Sequence, residues 1–148
     1  MANQFRIEPT FTNDPLSDFR LTRAMVHLAD EQGPIILEEL RRQVPDASGR
    51  LKRSLFYTRE SAIGVVRMKF QTKTPYFPYV IHGTRPHTIQ AVAARSLHFI
   101  WNGSDFFAKS VNHPGTRPND FVTRAWDRVK EPLTLEFIKV IESEVGGK

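Results

Sequence analysis

Two different hydrophobic periods divide this sequence, and that division restricts the fold more than any single motif. From Leu16 onward, Phe19, Thr22, Met25/Val26 and Ala29 recur at three-to-four spacing, and Ile36, Leu37, Leu40 and Val44 continue the stripe. Such spacing places apolar groups on one face of an α-helix. The same period returns near the C-terminus, in Phe121, Ala125, Val129, Leu133, Phe137 and Val140/Ile141. Between these stretches the period falls to two. Val66, Met68 and Phe70 alternate with Val65, Arg67, Lys69 and Gln71, the signature of a half-buried strand. Helices at both ends and strands between them predict an α+β domain: an antiparallel sheet of about four to five strands packed with a long N-terminal helix and a C-terminal helix.

Turn-forming residues set the expected boundaries. Residues 1–15 carry Pro9 and Pro15 in a polar setting and read as an extended N-terminal arm, which in an oligomer can lie on a neighbouring subunit. Residues 16–145 read as a single α+β domain, and 146–148 as a disordered tail. Ser17 is the expected N-cap of the first helix. Gly33-Pro34 should kink that helix or split it in two, because proline lacks the backbone donor and disfavours helical geometry in the residue before it. Pro45 should end it, and residues 45–49 form a turn. Strands are expected at 51–60 and 63–72, joined at Ser61-Ala62. The run 75–82 reads as an edge strand or as a short helix starting at Pro78. Strands at 96–101 and 106–112 follow, joined through Asn102-Gly103, a strong hairpin signal. The last helix should run from about Asn119 to Val145, with a kink at Pro132.

The 148 residues suit one domain, and composition removes several classes of chemistry. With no cysteine, thiolate metal sites, disulfides and cysteine nucleophiles are excluded. No apolar run approaches the ~20 residues of a membrane span, and the first residues lack a signal-peptide layout, so a protein made and used in soluble form is expected. The net charge of +5 is unevenly spread. Arg50 to Lys130 holds fourteen Lys/Arg against four Asp/Glu, whereas the flanks hold seven against twelve. Acidic helices beside a basic sheet account for this, as does a basic surface for an acidic protein or for nucleic acid.

The strongest local feature is a near-repeat. Gly83-Thr84-Arg85-Pro86 lies between His82 and His87, and Gly115-Thr116-Arg117-Pro118 follows His113-Pro114. Four of the five histidines fall between 82 and 113, so a metal site from His82, His87, His98 and His113 is one reading and loop-capping histidines the other. Ser96 and Ser110 have histidines nearby but no nucleophile-elbow sequence, and the glycines are too dispersed for a phosphate loop. No catalytic residue, cofactor or metal ligand is expected.

Five pieces, in order, resemble the head–tail joining and tail-completion proteins of long-tailed double-stranded DNA phages. They are the amphipathic N-terminal helix, the stretch Pro45 to Leu55, the aromatic run Pro75 to Thr84 ending in Gly-Thr, the segments Arg85 to Ile89 and Ala94 to Phe99, and the run Phe107 to Pro118 leading into Phe121. The likeness covers roughly residues 16 to 130. It departs at His82, where many members carry an acidic or other polar residue, and at Asn119-Asp120, where a direct Pro-Phe junction is common. The resemblance implies a non-enzymatic virion protein of the neck or head-proximal tail, assembled in the host cytoplasm as a ring, expected to be a hexamer. Its implied partners are itself, the adjacent neck or connector proteins, and tail-terminator or tail-tube proteins. DNA passes only as cargo, and no membrane is involved. Tail completion, terminator and stopper roles all stay open. His82, Thr84, Arg85, His87, His113, Thr116 and Arg117 are the candidate interface residues, the two Gly-Thr-Arg-Pro loops being expected side by side. The alternative is a basic nucleic-acid-binding domain.

Overall fold

The computed structural model describes residues 4–7, 15–45, 49–92 and 95–145. Its order is β1 (Gln4–Ile7), α1 (Pro15–Gln43), α2 (Arg50–Ser54), β2 (Leu55–Ala62), β3 (Val65–Thr72), α3 (Phe77–His82), β4 (His87–Gln90), β5 (Leu97–Trp101), β6 (Ser104–Ala108), β7 (Ser110–His113) and α4 (Phe121–Val145). The class is α+β, as the two periods predict. The strands, however, do not share one sheet. They form a three-stranded antiparallel sheet in the order β1-β3-β2 and two separate ribbons, β4-β7 and β5-β6. Within the stretch read as one domain, the chain divides into two compact units: unit 1 is 1–77 with 120–148, and unit 2 is Pro78–Asn119.

Unit 1 holds every buried apolar residue among those described. Helix α1 buries Met25, Leu28, Ala29, Ile36 and Leu40, and α4 buries Phe121, Ala125 and Leu133. These faces converge with Val66 and Met68 of β3 around one small void. Gly33 and Pro34 do not divide α1, which runs unbroken across them. Losing one backbone bond costs less than exposing a stripe of five buried apolar positions. Gly33 has a packing reason of its own, since a Cβ there would strike the Tyr57 ring. The helix starts at Pro15, so Ser17 lies inside the first turn rather than at the N-cap. Phe19 is exposed and stands off the stripe. Helix α4 likewise continues through Pro132.

Three expected strand boundaries are corrected. Leu51–Ser54 is a helical turn, closed by the Arg53 amide donating to the Gly49 carbonyl at 3.0 Å, and it buries Leu51 completely. The β2–β3 turn is Ile63-Gly64, two residues later than Ser61-Ala62. The 106–112 strand is broken at Lys109. The run 75–82 resolves as helix α3, starting one residue before Pro78. Of the expected arm, residues 4–7 pair as β1 with β3. Residues 8–14, 46–48 of the turn and the tail 146–148 lie outside the described residues.

Ion pairs on this unit follow the charge split. Arg59 of β2 meets Asp30 of α1 at 2.7 Å, and Arg128 of α4 meets Glu39 of α1 at 3.6 Å. Glu60 on β2 receives Lys69 of β3 at 2.5 Å. That hydrogen bond is the main cause holding its carboxyl below the ordinary value, with the positive charge of Arg67 adding to it. At the other end of the sheet, the Ser54 hydroxyl donates to the Leu51 carbonyl at 2.8 Å. It also meets the hydroxyls of Thr72 at 2.6 Å and of buried Thr74 at 2.5 Å. Ser54→Ala should therefore cost about 1–3 kcal/mol, the penalty for leaving such hydroxyls unpaired. Urea unfolding checks this, and a change below 0.5 kcal/mol (roughly the noise of neutral surface changes) would refute it.

Candidate functional site

Unit 2 is built on one long antiparallel excursion. Outgoing β4 and β5 return as β6 and β7, with His87 opposite His113, Gln90 opposite Ser110, Leu97 opposite Ala108 and Trp101 opposite Ser104. The outgoing side carries additional residues between Ala91 and Leu97, which separate the two ribbons. At the tip, Asn102 and Gly103 have φ of 50° and 79°, the doubly left-handed turn that matches strand twist.

At its base the two Gly-Thr-Arg-Pro segments lock together. The Thr84 amide donates to the Thr116 carbonyl at 3.0 Å, and the Thr116 amide donates to the Thr84 carbonyl at 3.1 Å. Their hydroxyls lie 3.2 Å apart. The glycines complete a reciprocal arrangement. Gly83 has φ 70° and its missing Cβ leaves room for the Thr116 carbonyl; Gly115 has φ 86° and leaves the same room for Thr84. The near-repeat in sequence is thus a local pseudo-twofold in space. Asn119 closes the clasp by donating its amide toward the carbonyls of Val80 and Ile81, both at 3.2 Å, tying the exit of unit 2 to its entry.

The candidate residues distribute around this clasp. Arg85 and Arg117 are exposed at equivalent positions of the two repeats, and His82 is exposed at the end of α3. His87 and His113 face each other across the ladder with ring centroids 5.1 Å apart. Their local bonds require opposite tautomers. Nδ1 of His87 lies 2.8 Å from the Arg85 carbonyl and so donates, whereas Nδ1 of His113 accepts the Gly115 amide at 3.0 Å. When both rings are neutral, His87 presents a lone pair at Nε2 and His113 presents an N–H. Chelation of one ion by both Nε2 atoms would break the Gly115 bond. His98 is engaged elsewhere, bonded to Asp105 at 2.5 Å and stacked on Phe107 at 4.8 Å. Among the described residues no three His, Asp or Glu side chains are placed to hold a metal. No described histidine bonds a serine; their partners are Glu31, the Arg85 carbonyl, Asp105 and the Gly115 amide. His87 and His113 fasten the clasp loops.

Comparison with protein-family models, with curated proteins and with solved structures finds no match.

One feature of the site was not anticipated from sequence. None of the described residues of unit 2 is buried. Ile89, Val92, Ile100, Phe106 and Phe107 are all exposed, Val92 at 95% and Ile100 and Phe107 near 70%. Ile100 and Phe107 share one face of the β5-β6 ribbon, with His98 and Asp105. Isolated two-stranded ribbons are marginal in water, and apolar patches left open on such a ribbon are sites for another chain. Aromatic spacing in sequence suggests core instead, since nothing in the alternation itself says whether the covering partner belongs to the same chain. The charge of this unit is also open. Arg85, Arg95, Lys109 and Arg117 have no carboxylate partner among the described residues, and Asp105 is the unit's one acid. No helix among the described residues is long and apolar enough to cross a membrane.

Proposed function

We propose that this chain is a non-enzymatic structural subunit of the neck or head-proximal tail of a long-tailed double-stranded DNA phage, forming a ring that helps to join the DNA-filled head to the tail. The observation that carries the reading is the state of unit 2: a clasped, cation-bearing double ribbon in which no described residue is buried. Such an element gains stability by completing another protein surface, which is what an assembly subunit does. The ordered motif resemblance, above all the paired Gly-Thr-Arg-Pro segments, supports placing that assembly at the head–tail junction. The clasp holds Arg85 and Arg117 toward a neighbouring subunit or a connector or tail partner, and DNA is passing cargo.

Native mass spectrometry, with and without neck and tail neighbours, tests this. A discrete ring, or one that forms when a neighbour is added, is the expected outcome. In the same assay Arg85→Glu combined with Arg117→Glu should lower assembly at least tenfold while leaving the circular dichroism spectrum unchanged. Full assembly by that variant would remove the clasp from the interface. The four cations of unit 2, which have no carboxylate partner among the described residues, also favour a second reading, direct nucleic-acid binding. A chain that stays monomeric with those neighbours yet shifts onto DNA, with affinity falling steeply as salt rises, would replace the first reading with the second.

A further inference from the structure

The partner for the exposed ribbon can be read from charges left unmatched elsewhere on the chain. Asp30, Glu31, Glu38, Glu39, Glu60, Asp105, Asp120, Asp127, Glu136 and Glu144 each meet a Lys, Arg or His. Asp18 is also engaged. Two described carboxylates remain, Glu131 and Glu142, both exposed on α4. At 3.6 residues per turn they share one helix face with Leu135 and Ile138, opposite the buried Leu133. Leu135 is 55% and Ile138 43% exposed. The stripe therefore reads acid, apolar, apolar, acid. Unit 2 offers the complement: Ile100 and Phe107 on one ribbon face, with the unpaired cations Arg95 and Lys109 nearer the ribbon's base. Glu131 and Glu142 stand eleven steps apart on the helix, about 16 Å, a gap that the long Arg95 and Lys109 side chains would have to bridge from either side of the ribbon.

We infer that the β5-β6 ribbon of one copy docks Ile100 and Phe107 on the Leu135–Ile138 stripe of α4 in a second copy, its cations meeting Glu131 and Glu142. This deepens the ring reading and rests on it. The two surfaces differ, so the contact is head-to-tail, the type that closes into a ring when the rotation permits. It also explains why one unit can leave its ribbon bare: the cover is carried on every other copy.

The cysteine-free chain permits a direct test. Full-length Phe107→Cys and Leu135→Cys proteins are mixed in equal amounts and mildly oxidised. The expected main product is the mixed disulfide dimer, in clear excess over either homodimer. Adding Glu131→Lys and Glu142→Lys to the Leu135→Cys chain should reduce it at least tenfold, and Arg95→Glu with Lys109→Glu on the other chain should restore it. Because these helix positions are exposed, the fold survives the changes, which circular dichroism verifies. In parallel, Leu135→Asp with Ile138→Asp should dissolve the wild-type oligomer seen by native mass spectrometry. Mixed and homodimeric disulfides in statistical proportion, an oligomer untouched by the α4 changes, or a wild-type chain that never self-associates would each overturn the inference. The neck reading would survive the first two results. It falls only if no ring or complex with neck neighbours forms under any condition.

Discussion

Gly83→Val should unfasten the clasp and little else. The substitution puts a β-branched residue at φ 70° and drives its Cβ into the Thr116 carbonyl, so strain and collision act together. A local cost of about 3 kcal/mol is expected, the upper range for one strained backbone position. Hydrogen exchange reads it directly. The Thr84 and Thr116 amides, which bond across the clasp, should lose about a hundredfold in protection, while β3 amides in unit 1 keep theirs. The pseudo-twofold makes a second demand: Gly115→Val should produce the same loss at the same two amides. Unequal effects, or unchanged protection in both variants, would show that the reciprocal packing does not hold the loops.

The second large effect lies in unit 1. Phe121 has no exposed surface and meets the Phe77 ring edge to face at 6.2 Å. Phe121→Ala removes a fully buried ring and leaves a cavity at the start of α4, so about 3–5 kcal/mol of stability should be lost. For a domain of this size that is a large share of the total. Urea denaturation followed by far-ultraviolet circular dichroism measures it. A loss under about 1 kcal/mol would mean that the neighbouring side chains collapse into the space, and that the site is less tightly packed than its burial implies.

The helices were legible because their buried stripes are long. Met25, Ala29, Ile36 and Leu40 in α1, and Phe121, Ala125 and Leu133 in α4, are the residues the 3.6-residue period selects. Of the two readings at Gly33-Pro34 the unbroken helix holds, because the tertiary face that keeps the helix together outweighs one missing hydrogen bond. The tip turn was legible because Asn-Gly carries its own geometry. Leu51–Ser54 was not, since its helical turn depends on Gly49 at φ 69° and on a serine hydroxyl that binds Thr72 and Thr74 from β3 and its exit. Sheet partition was invisible for a related reason: register belongs to pairs of strands, and no single strand's alternation names its partner. Within the clasp, repetition of Gly-Thr-Arg-Pro flagged the residues, but only the fold brings each glycine against the other loop's carbonyl.

The place where unit 2 is spliced into the chain has a consequence for how such a protein can diverge. The backbone leaves the helix–sheet unit after Phe77 and re-enters at Asp120, and the rings of Phe77 and Phe121 touch just inside the two cuts. Asn119 and Val80 seal the excursion's own neck. A cassette with abutting ends adds little loop-closure entropy, whatever its length. Insertions, deletions and new surface chemistry between Pro78 and Asn119 are therefore nearly neutral for the folding of the scaffold. The helix–sheet unit can thus keep its fold while the length and surface of the segment it carries change.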